Sequence, residues 1–170
     1  MRVGILTISD RASRGEYVDL SGPAVRDVIK TYFDAEAELN AVVPDDARKI
    51  SATLRKWCDR DRLDLILTTG GTGFAPRDHT PEATRAVIER EAPGLIYAML
   101  TNSLKKTPHA MLTRMVAGIR GHTLIVNLPG SPSAATENLQ VILPTLPHAI
   151  ELLRGKPGHS HAFGDADDKT

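Results

Sequence analysis

Residues 2–9 form a short apolar run that turns polar at its end, as a central strand of an α/β sheet should. The opening Met1-Arg2-Val3-Gly4-Ile5 therefore reads as strand and not as a signal peptide. Residues 10–19 break every apolar period and read as a loop. Ser21-Gly22-Pro23 then offers a hydroxyl cap and a first-turn proline, with Val25, Val28, Ile29, Tyr32 and Phe33 following at helical spacing. Alternation of Ala37, Leu39, Ala41 and Val43 predicts a second strand, ended by Pro44-Asp45-Asp46. Asp45 or Asp46 would cap the next helix, whose buried face is Ile50, Leu54, Trp57 and Cys58. Residues 63–69 predict a third strand, stopped by Gly70-Gly71-Thr72-Gly73. Thr80-Pro81-Glu82 opens another helix with Thr80 as its cap, and Pro93-Gly94 separates it from an amphipathic stretch over residues 95–104. Two apolar runs around Gly121-His122, residues 115–120 and 123–128, predict a hairpin. The last helices span residues 133–154 with a bend near Pro144 and Pro147.

Strands alternating with helices imply a three-layer α/β/α domain over residues 1–154, its sheet mixed but mostly parallel. Residues 155–170 turn polar, without apolar period, and are expected to form a flexible tail. Lysine plus arginine total 21 and aspartate plus glutamate 21, so the formal charge is zero. That balance provides no electrostatic footprint for duplex nucleic acid or an anionic membrane. Cys58 is the only cysteine, which excludes an intramolecular disulfide framework. No apolar run is long enough to span a bilayer, and a cytoplasmic location is expected.

In such folds ligands collect beyond the carboxyl ends of the strands. Ser9-Asp10 follows the first strand there, Pro44-Asp45-Asp46 the second, Gly70-Gly71-Thr72-Gly73 with Arg77-Asp78 the third, and Asn127 with Pro129-Gly130-Ser131 the hairpin. Glycines let backbone amides approach an anion closely, and phosphate is the natural guess. The loop lacks both the dinucleotide spacing G-x-G-x-x-G and the P-loop spacing. Carboxylates beside phosphate-binding amides suit a divalent cation, and magnesium is typically held by one or two of them plus substrate phosphates. Asp45 is open to two readings, helix cap or cation ligand; Asp78, two residues before Thr80, gains less from capping. His109, His122 and His148 show no metal-ligand spacing, and Ser131 has no evident general base.

The segment TTGGTGFAPRDHTPEAT at residues 68–84 closely resembles the molybdopterin adenylyltransferase family of molybdenum-cofactor biosynthesis. Matching stretches at residues 4–10, 43–45, 89–94, 118–121 and 127–130 extend the likeness over roughly residues 2–154. The resemblance implies a homotrimeric α/β/α protein that converts ATP and molybdopterin, with Mg2+, into adenylyl-molybdopterin and pyrophosphate. By position, the family's two essential aspartates fall on Asp45 and Asp78. Ser9, Asp10, Gly70, Gly71, Thr72, Gly73, Arg77, Asn127, Pro129, Gly130 and Ser131 match segments that bind nucleotide and pterin phosphates. Thr113 stands where relatives commonly have serine, and His79 replaces a usual valine. The implied pathway partner is a molybdenum insertase, as a domain or a separate protein. Two other readings stay open: an insertase-type relative, which normally carries further domains, and a catalytically silent module that holds the pterin or scaffolds a protein partner.

Overall fold

The computed structural model describes residues 1–155; the tail expected beyond Gly155 lies outside them. Strands β1 (Val3–Ile8), β2 (Leu39–Val43), β3 (Leu65–Thr69), β4 (Arg90–Glu91), β5 (Ala117–Arg120) and β6 (Thr123–Leu128) form one sheet in the order β2-β1-β3-β6-β5-β4. The four on the β2 side run parallel, whereas β5 returns antiparallel to β6 and β4 antiparallel to β5. Helices α1 (Asp10–Ser13), α2 (Ser21–Phe33), α3 (Ala47–Asp59), α4 (Thr80–Arg85), α5 (Pro93–Leu104), α6 (Pro132–Ile142) and α7 (Leu146–Leu153) complete the domain. A 3-10 turn at Leu143–Thr145 makes the expected bend between α6 and α7.

Alternate strand residues feed two cores. Val3, Ile5, Leu65, Leu67, Leu124 and Val126 pack with α2, α5, α6 and α7 on one face; Leu6, Ile8, Ile66 and Ile125 pack with α3 and α4 on the other. This is the three-layer arrangement, with a sheet buried on both faces.

Local chemistry departs from the sequence expectations at several element ends. Residues 10–13 are not loop: Ser9 caps α1, its Oγ accepting the Ala12 N–H at 3.2 Å. Helix α2 is started by Asp19, not Ser21, because the Asp19 carboxylate accepts the N–H groups of Ser21 and Gly22, each at 3.0 Å. Asp46, not Asp45, caps α3 by accepting the Lys49 N–H at 2.9 Å. Thr80 lies inside α4 and donates its hydroxyl to the Gly70 carbonyl at 2.9 Å, while His79 occupies the cap position. Pro93 begins α5 instead of preceding it. Tyr32 is half exposed, so the apolar stripe of α2 narrows to Val25 and Ile29 with Val28 and Phe33 at its edge.

The third strand starts at Leu65, two residues later than expected, because Asp64 is a buried junction. Its carboxylate accepts the Arg2 backbone N–H at 2.6 Å and two bonds from the Arg154 guanidinium, at 2.5 and 3.0 Å. A buried carboxylate is tolerated only when paired in this way.

Candidate active site

The parallel pairing brings the carboxyl ends of β1, β2, β3 and β6 to one edge, with Ile8 opposite Val43 and Thr69 opposite both Thr7 and Leu128. Two glycines let the following loops close on each other. Gly70 has φ +102°, and a Cβ there would lie 2.2 Å from the Ile8 carbonyl oxygen. Gly71 has φ +62°, and a Cβ there would lie 2.7 Å from Asp45 Oδ1 and 2.5 Å from Thr80 Oγ1. Only glycine occupies such backbone without strain and leaves that space free. The β3 and β6 loops are tied by Thr69, whose hydroxyl donates to the Pro129 carbonyl at 2.6 Å.

The carboxylates divide into two kinds. Asp10 is committed: Arg77 donates to it from Nε at 2.5 Å and from Nη2 at 3.0 Å. Asp10 and Asp45 also exchange reciprocal bonds, each backbone N–H donating to the other's carboxylate at 3.0 and 3.1 Å. The Arg77 guanidinium holds the Asp10 carboxyl below its ordinary range. Among the described residues Asp45 carries no side-chain cation, and partial burial pushes its carboxyl up, helped by the negative charges of Asp10 and Asp78 and opposed by the Asp10 N–H. Asp78 accepts the Ala75 N–H at 2.9 Å and turns one oxygen so close to Gly73 that a Cβ there would lie 2.9 Å away.

Two cavities meet at this edge. One, of about 490 Å³, is lined by Thr72, Gly73, Leu100, Thr113, Met115 and Asn138; the other, of about 470 Å³, by Ser9, Arg11, Tyr17, Asp19, Asp45 and Gly70. Gly71, Asp78, Gly130 and Ser131 line both. The wall between them thus consists of the glycine loop, the head of α6 and one of the two aspartates. Ser131 caps α6, so its amide end faces the junction. Thr113 Oγ1 is buried without a hydrogen-bond partner among the described residues.

Most of the residues picked from sequence converge here: Ser9, Asp45, Gly70, Gly71, Thr72, Gly73, Asp78, Thr113, Pro129, Gly130 and Ser131 all line one cavity or the other. Asn127 does not. It is fully buried, its amide donates to Thr68 Oγ1 and Thr84 Oγ1, each at 2.9 Å, and its oxygen accepts the Val116 N–H at 3.1 Å. With those groups engaged it is a strut between β6, β3, α4 and the start of β5. Asp10 and Arg77 line neither cavity and hold Asp45 and the loop instead. Arg11, a cation that the sequence places after the first strand within reach of a phosphate, stacks its guanidinium 4.8 Å from the Tyr17 ring centre on the wall of the second cavity. One residue escaped the sequence reading. Arg114 grips the glycine loop from behind through partners 32 to 41 positions away, which no local pattern could signal.

Comparison with known proteins places this geometry in a family. Residues 4–148 match the family model described as "Probable molybdopterin binding domain". The molybdopterin adenylyltransferase of Helicobacter pylori (strain J99) is 44% identical over 156 residues, covering 91% of this chain and 89% of that protein. Gephyrin of Dictyostelium discoideum is 47% identical over 167 residues, covering 93% of this chain, which spans only 23% of gephyrin's own length. The crystal structure of the molybdopterin biosynthesis enzyme MoaB from Thermus thermophilus superposes with a TM-score of 0.86 at 54% identity, covering 93% of this chain and 99% of that one. With that match running through every strand of the sheet and every loop of the cleft, the chain belongs to the molybdopterin-binding domain family of molybdenum-cofactor biosynthesis.

Proposed function

We propose that this protein is a molybdopterin adenylyltransferase, transferring AMP from ATP to the terminal phosphate of molybdopterin. The observation that carries the reading is the pair Asp45 and Asp78, both on the wall of one cavity beside the glycine loop and neither paired with a cationic side chain among the described residues. Asp10, by contrast, is neutralised by Arg77. Two carboxylates facing phosphate-binding amides repel polyanionic substrates unless a divalent cation stands between them.

The donor set fits magnesium: two carboxylates with oxygen ligands only, and among the described residues no group of three or more acidic, histidine or cysteine side chains that could hold a metal without help, which leaves substrate phosphates to complete the shell. Bound by Asp45 and Asp78, the ion would supply charge neutralisation to the phosphates that meet there. The remaining work falls to the chain. An oxygen of the molybdopterin phosphate bonds to the α-phosphorus of ATP as the bond from that phosphorus to the pyrophosphate oxygen breaks. The nucleophile is already ionised near neutral pH, so no general base is needed. Amides of the glycine loop and of the α6 head, where Ser131 sits, hold phosphate oxygens. Gly71, Asp78, Gly130 and Ser131 border both cavities and so stand where the two substrates meet. Placing the two phosphates in line supplies most of the rate.

Incubation with molybdopterin, ATP and magnesium should yield adenylated pterin and pyrophosphate in equal amounts. Pterin binding without AMP transfer would make the protein a binding module instead. The same reading includes a homotrimer in the cytoplasm that passes its product to a molybdenum insertase, and gephyrin, of whose length this chain spans 23%, has room for such a domain. A monomer at micromolar concentration in light scattering would remove the trimer. Among the described residues no helix is long and apolar enough to cross a membrane.

A further inference from the structure

Resting on the reading above, we infer that Arg114 is a positioning residue that turns the glycine loop into an anion cradle. Its backbone N–H donates to the Thr72 carbonyl at 2.8 Å. Its guanidinium donates from Nε to the Gly73 carbonyl at 2.7 Å, from Nη2 to the Asp78 carbonyl at 2.6 Å, and from Nη1 to the Glu82 carboxylate. One residue therefore collects three carbonyls that bracket the loop and its aspartate. The guanidinium suits this work because its donors form a rigid planar fork.

The consequence follows from peptide geometry. In a planar trans peptide the C=O of one residue and the N–H of the next point in opposite directions. With the Thr72 and Gly73 carbonyls drawn to Arg114, the N–H groups of Gly73 and Phe74 point away from it, and neither finds a partner among the described residues. Arg114 lines a groove with Phe74, His79 and Glu82, whereas Thr72 and Gly73 line the cavity of about 490 Å³, and Asp78 borders both. Arg114 pulls the acceptor ends of the loop outward and leaves its donor ends for phosphate. Through the Asp78 carbonyl it also fixes the aspartate that borders both cavities. Because Thr113 precedes it, the same residue sets the distance between the Thr113 wall and the Asp78 wall.

The test compares Arg114→Lys and Arg114→Gln with Glu82→Gln, which removes only the outer ion pair. In wild type, inorganic pyrophosphate added to 15N-labelled protein should shift the amide resonances of Gly73 and Phe74. In both Arg114 variants those shifts should vanish, and kcat/KM for adenylyl transfer should fall about a hundredfold, the penalty typical of a reacting group displaced by an ångström. KM for molybdopterin should move far less than kcat, and Glu82→Gln should retain both rate and amide shifts. A purely structural role predicts a lower melting temperature with kcat and the pyrophosphate shifts retained, and that result overturns the inference. Full rate in Arg114→Lys overturns it too, since charge alone would then suffice. Should Arg114→Gln fail to fold, the lysine variant decides. If wild type binds pyrophosphate at these amides but transfers no AMP, the adenylyltransferase reading fails while the positioning role stands.

Discussion

Asp45 and Asp46 are neighbours of identical chemistry in different surroundings: Asp46 caps α3, whereas Asp45 is partly buried at the strand-end edge. Replacing Asp46 by alanine removes the acceptor of the Lys49 N–H, whose bond is 2.9 Å long. Loss of such a cap costs about 1 kcal/mol, which for a domain of this size lowers the melting temperature by roughly 2–4 °C. Asp45→Asn should do the reverse. An asparagine oxygen still accepts the Asp10 N–H, while the charge disfavoured by burial and by Asp10 and Asp78 is gone. The Asp45 carboxyl is raised in the fold, so the folded state holds its proton more tightly than the unfolded state, and this group's contribution to stability falls as pH rises through that window. The variant should therefore melt at or above wild type near neutral pH, and the difference should close in acid as Asp45 takes up its proton. Its adenylyl transfer should drop by about a hundredfold or more, the usual loss when charge stabilisation at the reacting centre is removed. Calorimetry from pH 4 to 8 with product assays on both variants measures each quantity. The reasoning is refuted if Asp45→Asn melts as low as Asp46→Ala, or if it turns over near the wild-type rate.

Gly70→Ala forces a Cβ to within 2.2 Å of a backbone oxygen at φ +102°, and neither atom can rotate away. Strain plus overpacking should cost about 2–5 kcal/mol, whereas Gly15→Ala, at φ +72° in open space, should lose only about 1 kcal/mol; equal losses in calorimetry would contradict this. Thr113→Val removes a buried hydroxyl without a partner, so the free protein should gain about 1 kcal/mol while KM rises, and Thr113→Ser should restore wild-type values of both. A variant that loses stability with KM unchanged would show that the hydroxyl serves the fold. Burial pushes the Cys58 thiol up to about 11, so a thiol reagent at pH 8 should label it only after unfolding, and rapid labelling of the native protein would contradict its place in the core.

What could be read in advance was whatever the chain repeats locally. The runs that became β1, β3 and β6 are mostly apolar, and buried throughout, because both faces of those strands are covered. The glycine cluster pointed to the cleft because a strand that stops on Gly70-Gly71 must turn tightly there. Strand β4 gave no signal: its two residues are exposed, and it exists only through pairing with β5. The choice between Asp45 and Asp46 was hidden because capping depends on backbone direction, and only Asp46, at φ −126° and ψ 115°, is set against an amide three residues on. Asn127 looked like a ligand because it lies near a strand end beside a glycine loop, yet its side chain turns inward to two threonines and the Val116 amide just before β5. Such choices are made by contacts between distant segments.

The junction at Asp64 bears on how this domain joins other chains. Arg2 and Arg154 meet on one carboxylate, so the entry and exit of the fold lie side by side. Both sit at the amino end of β1 and β3, the pole opposite the glycine loop. Residues 2 and 154 therefore stand together at the pole away from the cleft, which suits the domain to insertion into a longer polypeptide as a cassette. By the same geometry, a circular permutant that joins residue 154 to residue 2 through a short linker, and opens at the Gly121-His122 turn, would keep every parallel strand pair and the whole strand-end edge.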